Sequence, residues 1–295
     1  MKFSLILTTL GNERDLDRFF EALWRQSHKD FEVIVIGPTN AERVIAYLEK
    51  WKGKPVRYGG GAKGHSKALN LGLEQATGDI VAFPDEDSWY PDDLLERLAA
   101  MFRQNPQWSG ITGRSLTAEG QPSSGRWAAH AGPITRSNVW VRACTITIFV
   151  RRSVLSKIRF DETLGIGAGT PWGAGEDPDF VLQIINAGHT VFYDPVITVN
   201  HPEWVLAPYP PSVCLKAESY ARGLGRVLRK HRYPIGTVTY HVFRPLGGTL
   251  LALLGGNRRR ANYHWSIFLG RIAGGFSDVA FSRRRRTGSD AVPVN

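Results

Sequence analysis

The stretch Thr77-Gly78-Asp79-Ile80-Val81-Ala82-Phe83-Pro84-Asp85-Glu86-Asp87 is a short apolar run that leads straight into three acids. Residues 80–83 read as a buried strand, and Pro84 ends it. Open parallel sheets place ligands at the carboxyl ends of their strands. Three adjacent carboxylates at such a point repel one another unless something positive offsets them. A divalent cation bound to a diphosphate would do so, because hard cations take carboxylate oxygens. The competing reading is a solvated turn in which Asp87 or Ser88 caps a helix beginning near Pro91.

Outward from this strand, the first half of the chain alternates. Residues 2–8 read as a buried strand. Residues 15–26 have helical spacing, with Leu16, Phe19, Phe20 and Leu23 on one stripe. Strands are predicted at 31–36 and 56–58, and helices at 41–51, 66–76 and 91–102. This alternation implies right-handed crossovers and an α/β fold with a mostly parallel sheet flanked by helices. Residues 112–141 have weak periodicity. Beyond them the pattern predicts a strand at 145–151, a Gly-rich loop at 165–175, a helix at 176–186 and short strands near Val191 and Ile197. From Pro211 onward it is helical: 212–231, then 237–254 interrupted by Pro245, then 259–272. The expected division is an α/β domain over 1–210 and a basic helical appendage over 211–295.

The chain has 295 residues and a net charge of +10, unevenly spread. From Lys216 to the end there are 15 Lys/Arg against three acids, Glu218, Asp278 and Asp290, whereas the preceding part holds 22 basic and 24 acidic groups. Such asymmetry suits a basic appendage facing a polyanion, and an anionic membrane surface is the expected partner rather than nucleic acid. Residues 235–254 are apolar, but His241, Arg244 and Pro245 break them, which suits an interfacial segment better than a spanning one. The alternative is a helical appendage packed on the α/β domain. The run Arg283 to Arg286 taken alone reads as a solvated tail. The N-terminus runs into a strand without the features of a signal peptide. Cys144 and Cys214 show no metal-ligand spacing and read as reduced thiols. The expected location is cytoplasmic, peripheral on the inner face of the membrane.

A second acidic pair, Glu176-Asp177, opens a helix after the loop 165–175, which holds Trp172 and five glycines. Acids at a helix start often only complement its dipole, but a glycine-rich loop ahead of them is the kind of segment that shapes a binding site. Gly59, Gly61 and Gly64 formally match a dinucleotide fingerprint. A more general reading is a turn that lets backbone approach a ligand, with Lys67 and Asn70 on the helix that follows. His201 lies just past the strand near Ile197. Lone histidines are more often structural, and this one matters only if the fold returns it to the acidic run.

Taken in chain order, these segments resemble the family 2 glycosyltransferases, which have the GT-A fold. The resemblance runs from about Lys2 to Pro202. It is carried by Ser4-Leu5-Ile6-Leu7-Thr8-Thr9, by Trp24-Arg25-Gln26-Ser27 with Phe31-Glu32-Val33-Ile34-Val35-Ile36, and by Gly64-His65-Ser66-Lys67-Ala68-Leu69-Asn70-Leu71-Gly72. It continues in the opening stretch quoted above, in Phe160-Asp161-Glu162, and in Gly175-Glu176-Asp177-Pro178-Asp179-Phe180. The segments from Arg114 to Trp127 and from Gly165 to Gly175 further resemble a bacterial subgroup associated with surface polysaccharide assembly. Two departures stand out. Gly37-Pro38-Thr39-Asn40 occupies the place where the family usually carries an Asp against the nucleobase. Leu69 stands where an Arg often precedes the helix Asn, and Lys67 would compensate.

The resemblance implies an inverting transfer from a nucleotide-diphosphate sugar to a hydroxyl of a glycan or lipid-linked acceptor, with residues 1–210 as the GT-A-like nucleotide-sugar-binding catalytic domain. It implies Mg²⁺ or Mn²⁺ held by Asp87, with Asp85 nearby and His201 completing the site. Asp177 would be the base, Glu176 would orient it or contact the acceptor, and Asp179 is the fallback. Thr9 and Asn70 would touch the nucleotide. Two other classes compete. A nicotinamide-dependent oxidoreductase rests on the glycine match alone. A non-catalytic nucleotide-sugar-binding protein at the membrane is favoured by the missing nucleobase Asp.

Overall fold

The computed structural model of the chain describes residues 1–203 and 206–276. Arg283 to Arg286 lie outside them. The described residues of Met1–Glu162 and Glu176–Val205 form one compact unit, and those of Thr163–Gly175 and Leu206–Asn295 form a second.

The first unit is built on strands β1 (Phe3–Thr8), β2 (Phe31–Gly37), β3 (Val56–Gly61), β4 (Ile80–Ala82), β5 (Trp108–Leu116), β6 (Gly132–Pro133), β7 (Ile148–Arg151) and β8 (Thr190–Asn200). They form one sheet in the order β3-β2-β1-β4-β7-β5-β8-β6. Pairing is parallel across β3, β2, β1 and β4 and between β5 and β8, and antiparallel where β7 joins β4 to β5 and where β6 meets β8. Helices α1 (Glu13–Arg25), α2 (Glu42–Leu48), α3 (His65–Leu73), α4 (Leu94–Gln104) and α5 (Glu176–Asn186) connect the strands. The architecture is the α/β sheet that the strand–helix alternation predicts.

Strands β1, β2 and β4 are apolar on both faces, apart from Ser4 and Thr8 in β1 and Glu32 in β2, because helices cover both faces. Leu16, Phe19, Phe20 and Leu23 of α1 are all buried against them, as their spacing requires. Burying one such side chain contributes about 1.5–3 kcal/mol.

Two elements differ from the sequence reading. β5 spans Trp108–Leu116, beginning in residues to which the pattern assigns no element and entering the weakly periodic stretch 112–141, and β8 is one strand of 11 residues rather than two short ones. Their parallel pairing shifts register between Thr112 and Arg114, which absorbs the irregular stretch around Asp194 and Pro195.

The second unit consists of α6 (Pro211–Lys230), α7 (Ile235–Leu254) and α8 (Arg258–Phe276) with the loop Thr163–Gly175. α6 and α8 touch through their backbones: a Cβ on Gly225 would lie 2.3 Å from the Arg271 carbonyl oxygen. α7 continues through Pro245 without a break, contrary to the interruption expected there. The loop is seated on α6 and is not a free flap. Trp172 is fully buried with the Arg226 guanidinium 4.5 Å from its ring centroid, and the Gly173 amide donates to the Ser219 carbonyl at 3.1 Å. A Cβ at Gly173 would meet Ser219 Oγ at 2.3 Å, so at this position glycine permits close packing rather than motion.

Candidate active site

The site assembles at the carboxyl ends of β1 and β4, where a parallel bridge joins Thr8 to Asp85. Thr8 Oγ1 donates to Asp85 Oδ1 at 2.8 Å, and His65 Nδ1 stands 4.0 Å from the same oxygen. Glu86 turns back to cap the chain leaving β1. Its carboxylate accepts from the Thr9 hydroxyl, from the Leu10 amide at 3.3 Å and from the Asn12 amide at 3.1 Å. The middle acid of the run is thus satisfied by local structure, and its two neighbours remain half-buried beside it.

Asp87 faces His201. β8 ends at Asn200, whose main chain pairs with Trp89 through bonds of 3.0 and 2.9 Å, and this delivers the next residue to the acidic run. His201 Nε2 lies 3.4 Å from Asp87 Oδ2. His201 Nδ1 lies 2.7 Å from the Pro202 carbonyl oxygen, which can only accept, so Nδ1 carries a hydrogen and Nε2 is the atom aimed at Asp87. Burial disfavours charge on both groups, but their mutual attraction outweighs it. Asp87 is held below its ordinary range and His201 above its own.

The second acidic pair belongs to the same site. Three buried rings fix it there: Phe83 of the β4 end packs edge-on against Phe160 and Phe180 at 5.1 and 5.5 Å, and Phe160 stacks on Phe180 of α5 at 4.0 Å. The acids that follow Phe83 and those that precede Phe180 are thereby held in register. The side chain of Asn70 locks the middle ring. It donates to the Phe160 carbonyl and accepts from the Phe160 amide, each at 2.9 Å, and also donates to Glu162 Oε1 at 3.1 Å.

Thr145, just before β7, donates its hydroxyl to Asp177 Oδ1. Burial raises Asp177 above the ordinary carboxylate range against the lowering effect of that hydroxyl. His65 also lowers it and Asp85 raises it, so both acidic clusters share one field. Glu176 is pushed well above its usual range by burial and by the adjacent Asp177. Its Oε2 is buried with no hydrogen-bond partner among the described residues. Asp179 is fully buried and accepts from Gln183 at 2.8 Å. Lys67 is exposed on α3, and Leu69 is buried in the core.

The structure therefore brings together Thr9, Asp85, Asp87, Glu176, Asp177 and His201. Sequence reasoning did not single out Thr145, His65, or the capping role of Glu86. Only His65 left a trace, as the first residue of α3 after a glycine. The glycines of the formal dinucleotide fingerprint lie largely within β3, an edge strand, where a Cβ on Gly59 would meet Ile34 at 2.6 Å. Packing accounts for Gly59 and Gly61, where a Cβ would meet Ile34 and the Pro38 carbonyl oxygen, and a left-handed backbone (φ 103°) accounts for Gly64 at the start of α3.

Among the described residues, no three His, Cys, Asp or Glu side chains converge closely enough to hold a metal by themselves. The pair Asp87–His201 nevertheless fits a divalent cation. It offers one carboxylate and one imidazole nitrogen whose other nitrogen is fixed by a carbonyl, the usual outer support of a metal-bound histidine.

This sheet, with acids at the end of its fourth strand, defines a GT-A fold of the glycosyltransferase type. Residues 4–155, just over half of the chain, match Glycosyl transferase family 2, and the chain belongs to that family. An uncharacterized glycosyltransferase of a Nostoc species is 28% identical over 174 residues, covering 54% of this chain and 53% of the relative. The poly(ribitol-phosphate) beta-N-acetylglucosaminyltransferase TarS of Staphylococcus aureus is 26% identical over 128 residues, covering 39% of this chain and 22% of the relative. The chain thus spans about half or less of the length of these curated relatives. The crystal structure of TarS residues 1–349 with UDP superposes with a TM-score of 0.56 at 17% identity, covering 93% of this chain and 92% of that one. The mannosyltransferase PcManGT of Pyrobaculum calidifontis, with GDP-Man and Mn²⁺, gives a TM-score of 0.64 at 14% identity, covering 93% and 87%.

Proposed function

We propose that this chain is an inverting glycosyltransferase that moves a sugar from a nucleoside-diphosphate sugar to an acceptor hydroxyl in the synthesis of a polysaccharide or glycoconjugate. The observation that carries the proposal is Asp177, a half-buried carboxylate of raised pKa, oriented by Thr145 in the same site as the Asp87–His201 pair. An alcohol is a poor nucleophile, and a carboxylate in hydrogen-bond reach can take its proton as the new bond forms. Burial strengthens Asp177 as a base by raising its proton affinity. Glu176, pushed upward by burial and by Asp177 beside it, resists adding a second negative charge next to the base and is placed to orient an acceptor.

On the donor side, α3 begins at His65 with Gly64 as its cap, and the N-terminal end of a helix favours an anion such as a diphosphate. Thr9 lies at the end of β1, where the nucleotide would pass. Asn70 acts indirectly, by fixing Phe160. Asp87 and His201 would hold Mg²⁺ or Mn²⁺, which when bound would neutralise charge on the leaving diphosphate. The acceptor would be a glycan or lipid-linked glycan at the cytoplasmic face of a membrane.

The test is a screen of sugar nucleotides, beginning with UDP-GlcNAc and GDP-mannose because the TarS and PcManGT structures contain them. Release of nucleoside diphosphate and transfer are measured for the wild type and for Asp177→Asn. The variant should bind donor and lose transfer by about a hundredfold or more. Near-normal transfer by Asp177→Asn with Asp179→Asn inactive would move the base to Asp179. Near-normal transfer by both would remove the mechanism.

A further inference from the structure

We propose that the α7–α8 hairpin docks on an anionic phospholipid surface through one continuous apolar face. The helix α7 buries His241, Val242, Pro245 and Ala252. On its opposite side Tyr240 and Phe243 stand three residues apart, Leu250 and Leu251 follow two helical turns later, and Leu254 three residues after Leu251, so all five share one face, and all are exposed. That spacing normally marks the stripe a helix buries. Here it points outward, with Leu251 and Leu254 72% and 76% exposed. α8 carries a matching stripe, Trp265 and Leu269, also exposed. The two stripes are one surface, because Phe268 bridges them: its ring lies 5.8 Å from Phe243 and 5.2 Å from Trp265.

The charges around this face select its occupant. From Ile235 to Phe276 there is no Asp or Glu, and there are five arginines. Arg258, Arg259 and Arg260 are all exposed and follow the leucine-rich end of α7 across a three-residue turn. Arg244 is exposed beside Phe243. A second copy of the chain seated on this face would bring arginines against arginines with no acid to pair them. A leaflet of anionic headgroups pairs with them and takes up the apolar side chains below. Tyr240 and Trp265 suit the boundary, being apolar rings with a polar edge. No helix among the described residues is long and apolar enough to cross a membrane, so the hairpin would lie in the interface, with arginine stems along the apolar surface and their heads at phosphate.

This inference is independent of the transfer reaction, and its test is read without turnover. The full chain is floated at low and high salt with vesicles of phosphatidylcholine alone and with vesicles that also contain phosphatidylglycerol. Binding should need the anionic lipid and should fall at least about tenfold at high salt. Leu251→Glu with Leu254→Glu should cut binding at least about tenfold, and so should replacement of Arg258, Arg259 and Arg260 by Ala. These positions are exposed, so folding should be unaffected, and the melting temperature checks this. Wild type that stays with the unbound fraction at low salt overturns the proposal. So does binding that is equal with both vesicle types. A wild-type dimer that Leu251→Glu with Leu254→Glu turns into a monomer, without vesicle binding in either form, would reassign the face to a self-interface and also overturn it.

Discussion

Arg271 of α8 donates to the main-chain carbonyl of His241 in α7. That carbonyl lies four residues before Pro245, which has no N–H to offer it. The neighbouring helix therefore supplies the bond that proline removes, and α7 stays continuous. Burial holds the Arg271 pKa at about 10, low for a guanidinium, with Arg244 contributing, and it remains charged at neutral pH. Arg271→Met should destabilise the chain by about 1–3 kcal/mol, the usual range for leaving a buried acceptor unmet. In a Pro245→Ala background the helix provides its own donor, and the same substitution should cost less. A double-mutant cycle by urea unfolding measures the difference. Equal costs in both backgrounds would mean that the bond does not compensate for the proline.

Glu32 links β1, β2 and the turn before β4. It accepts from Ser4 Oγ at 2.7 Å, Thr77 Oγ1 at 2.6 Å and the Thr77 amide at 2.9 Å. Burial works to raise its pKa, but these donors and Lys2 bring it down to about 2 from 4.5. A depressed carboxyl stabilises the fold above its unfolded pKa and loses that contribution as pH falls through the folded value. Stability should therefore decline from about pH 4.5 towards pH 2, by on the order of 3 kcal/mol from this group. Glu32→Gln should be less stable at neutral pH and show a shallower decline over that window. A parallel decline in the two proteins would assign the acid sensitivity elsewhere.

The elements legible in the sequence are those whose side chains report burial directly. β1, β2 and β4 are apolar on both faces, and α1 carries its stripe. β5 was not legible because Gly110 and Gly113 interrupt its pattern, and their role depends on a partner strand remote in sequence: a Cβ on Gly113 would lie 2.2 Å from the Ile197 carbonyl oxygen. The acids of the site could be picked out because clustered charge is costly without a purpose. Thr145 could not, since it reads as the first residue of a strand over 145–151, which the structure starts only at Ile148, and it carries no signal until the fold sets it against Asp177. Asn70 reads as a ligand contact from its motif, yet its amide is engaged with Phe160. The loop 165–175 reads as flexible from its glycines, yet Gly173 and Gly175 serve close packing on α6, where a Cβ would meet Ser219 and Val227.

The Asp87–His201 pair predicts a graded response to metal. Binding of the nucleoside diphosphate from the preferred donor is measured calorimetrically against Mn²⁺ concentration. Asp87→Ala should abolish the metal-dependent part of binding and leave the fold intact. His201→Ala keeps the carboxylate and should raise the Mn²⁺ needed for half-maximal binding by about tenfold or more. The metal-independent part should be the same in all three proteins. Unchanged Mn²⁺ dependence in the Asp87 variant would exclude this pair as the metal site.

With Asp177 as the proposed base, Thr145 would set its working range. The hydroxyl donates to the carboxylate, and donors to a charged form favour that form. Asp177 is already raised by burial, and the Thr145 bond restrains the rise. Thr145→Val keeps the shape and removes the donor, so the Asp177 pKa should climb further. A base must be deprotonated to act, so the rising limb of the pH profile of kcat/KM should move to higher pH. At a pH on that limb the variant should be slower, by about tenfold for each pH unit that the limb moves, while at high pH its rate should approach the wild type. Donor binding should be unchanged, because Thr145 touches the base and not the metal pair. A uniform loss across all pH, with the limb in place, would make Thr145 a packing residue. A limb that moves to lower pH would mean that the group titrating there is not Asp177.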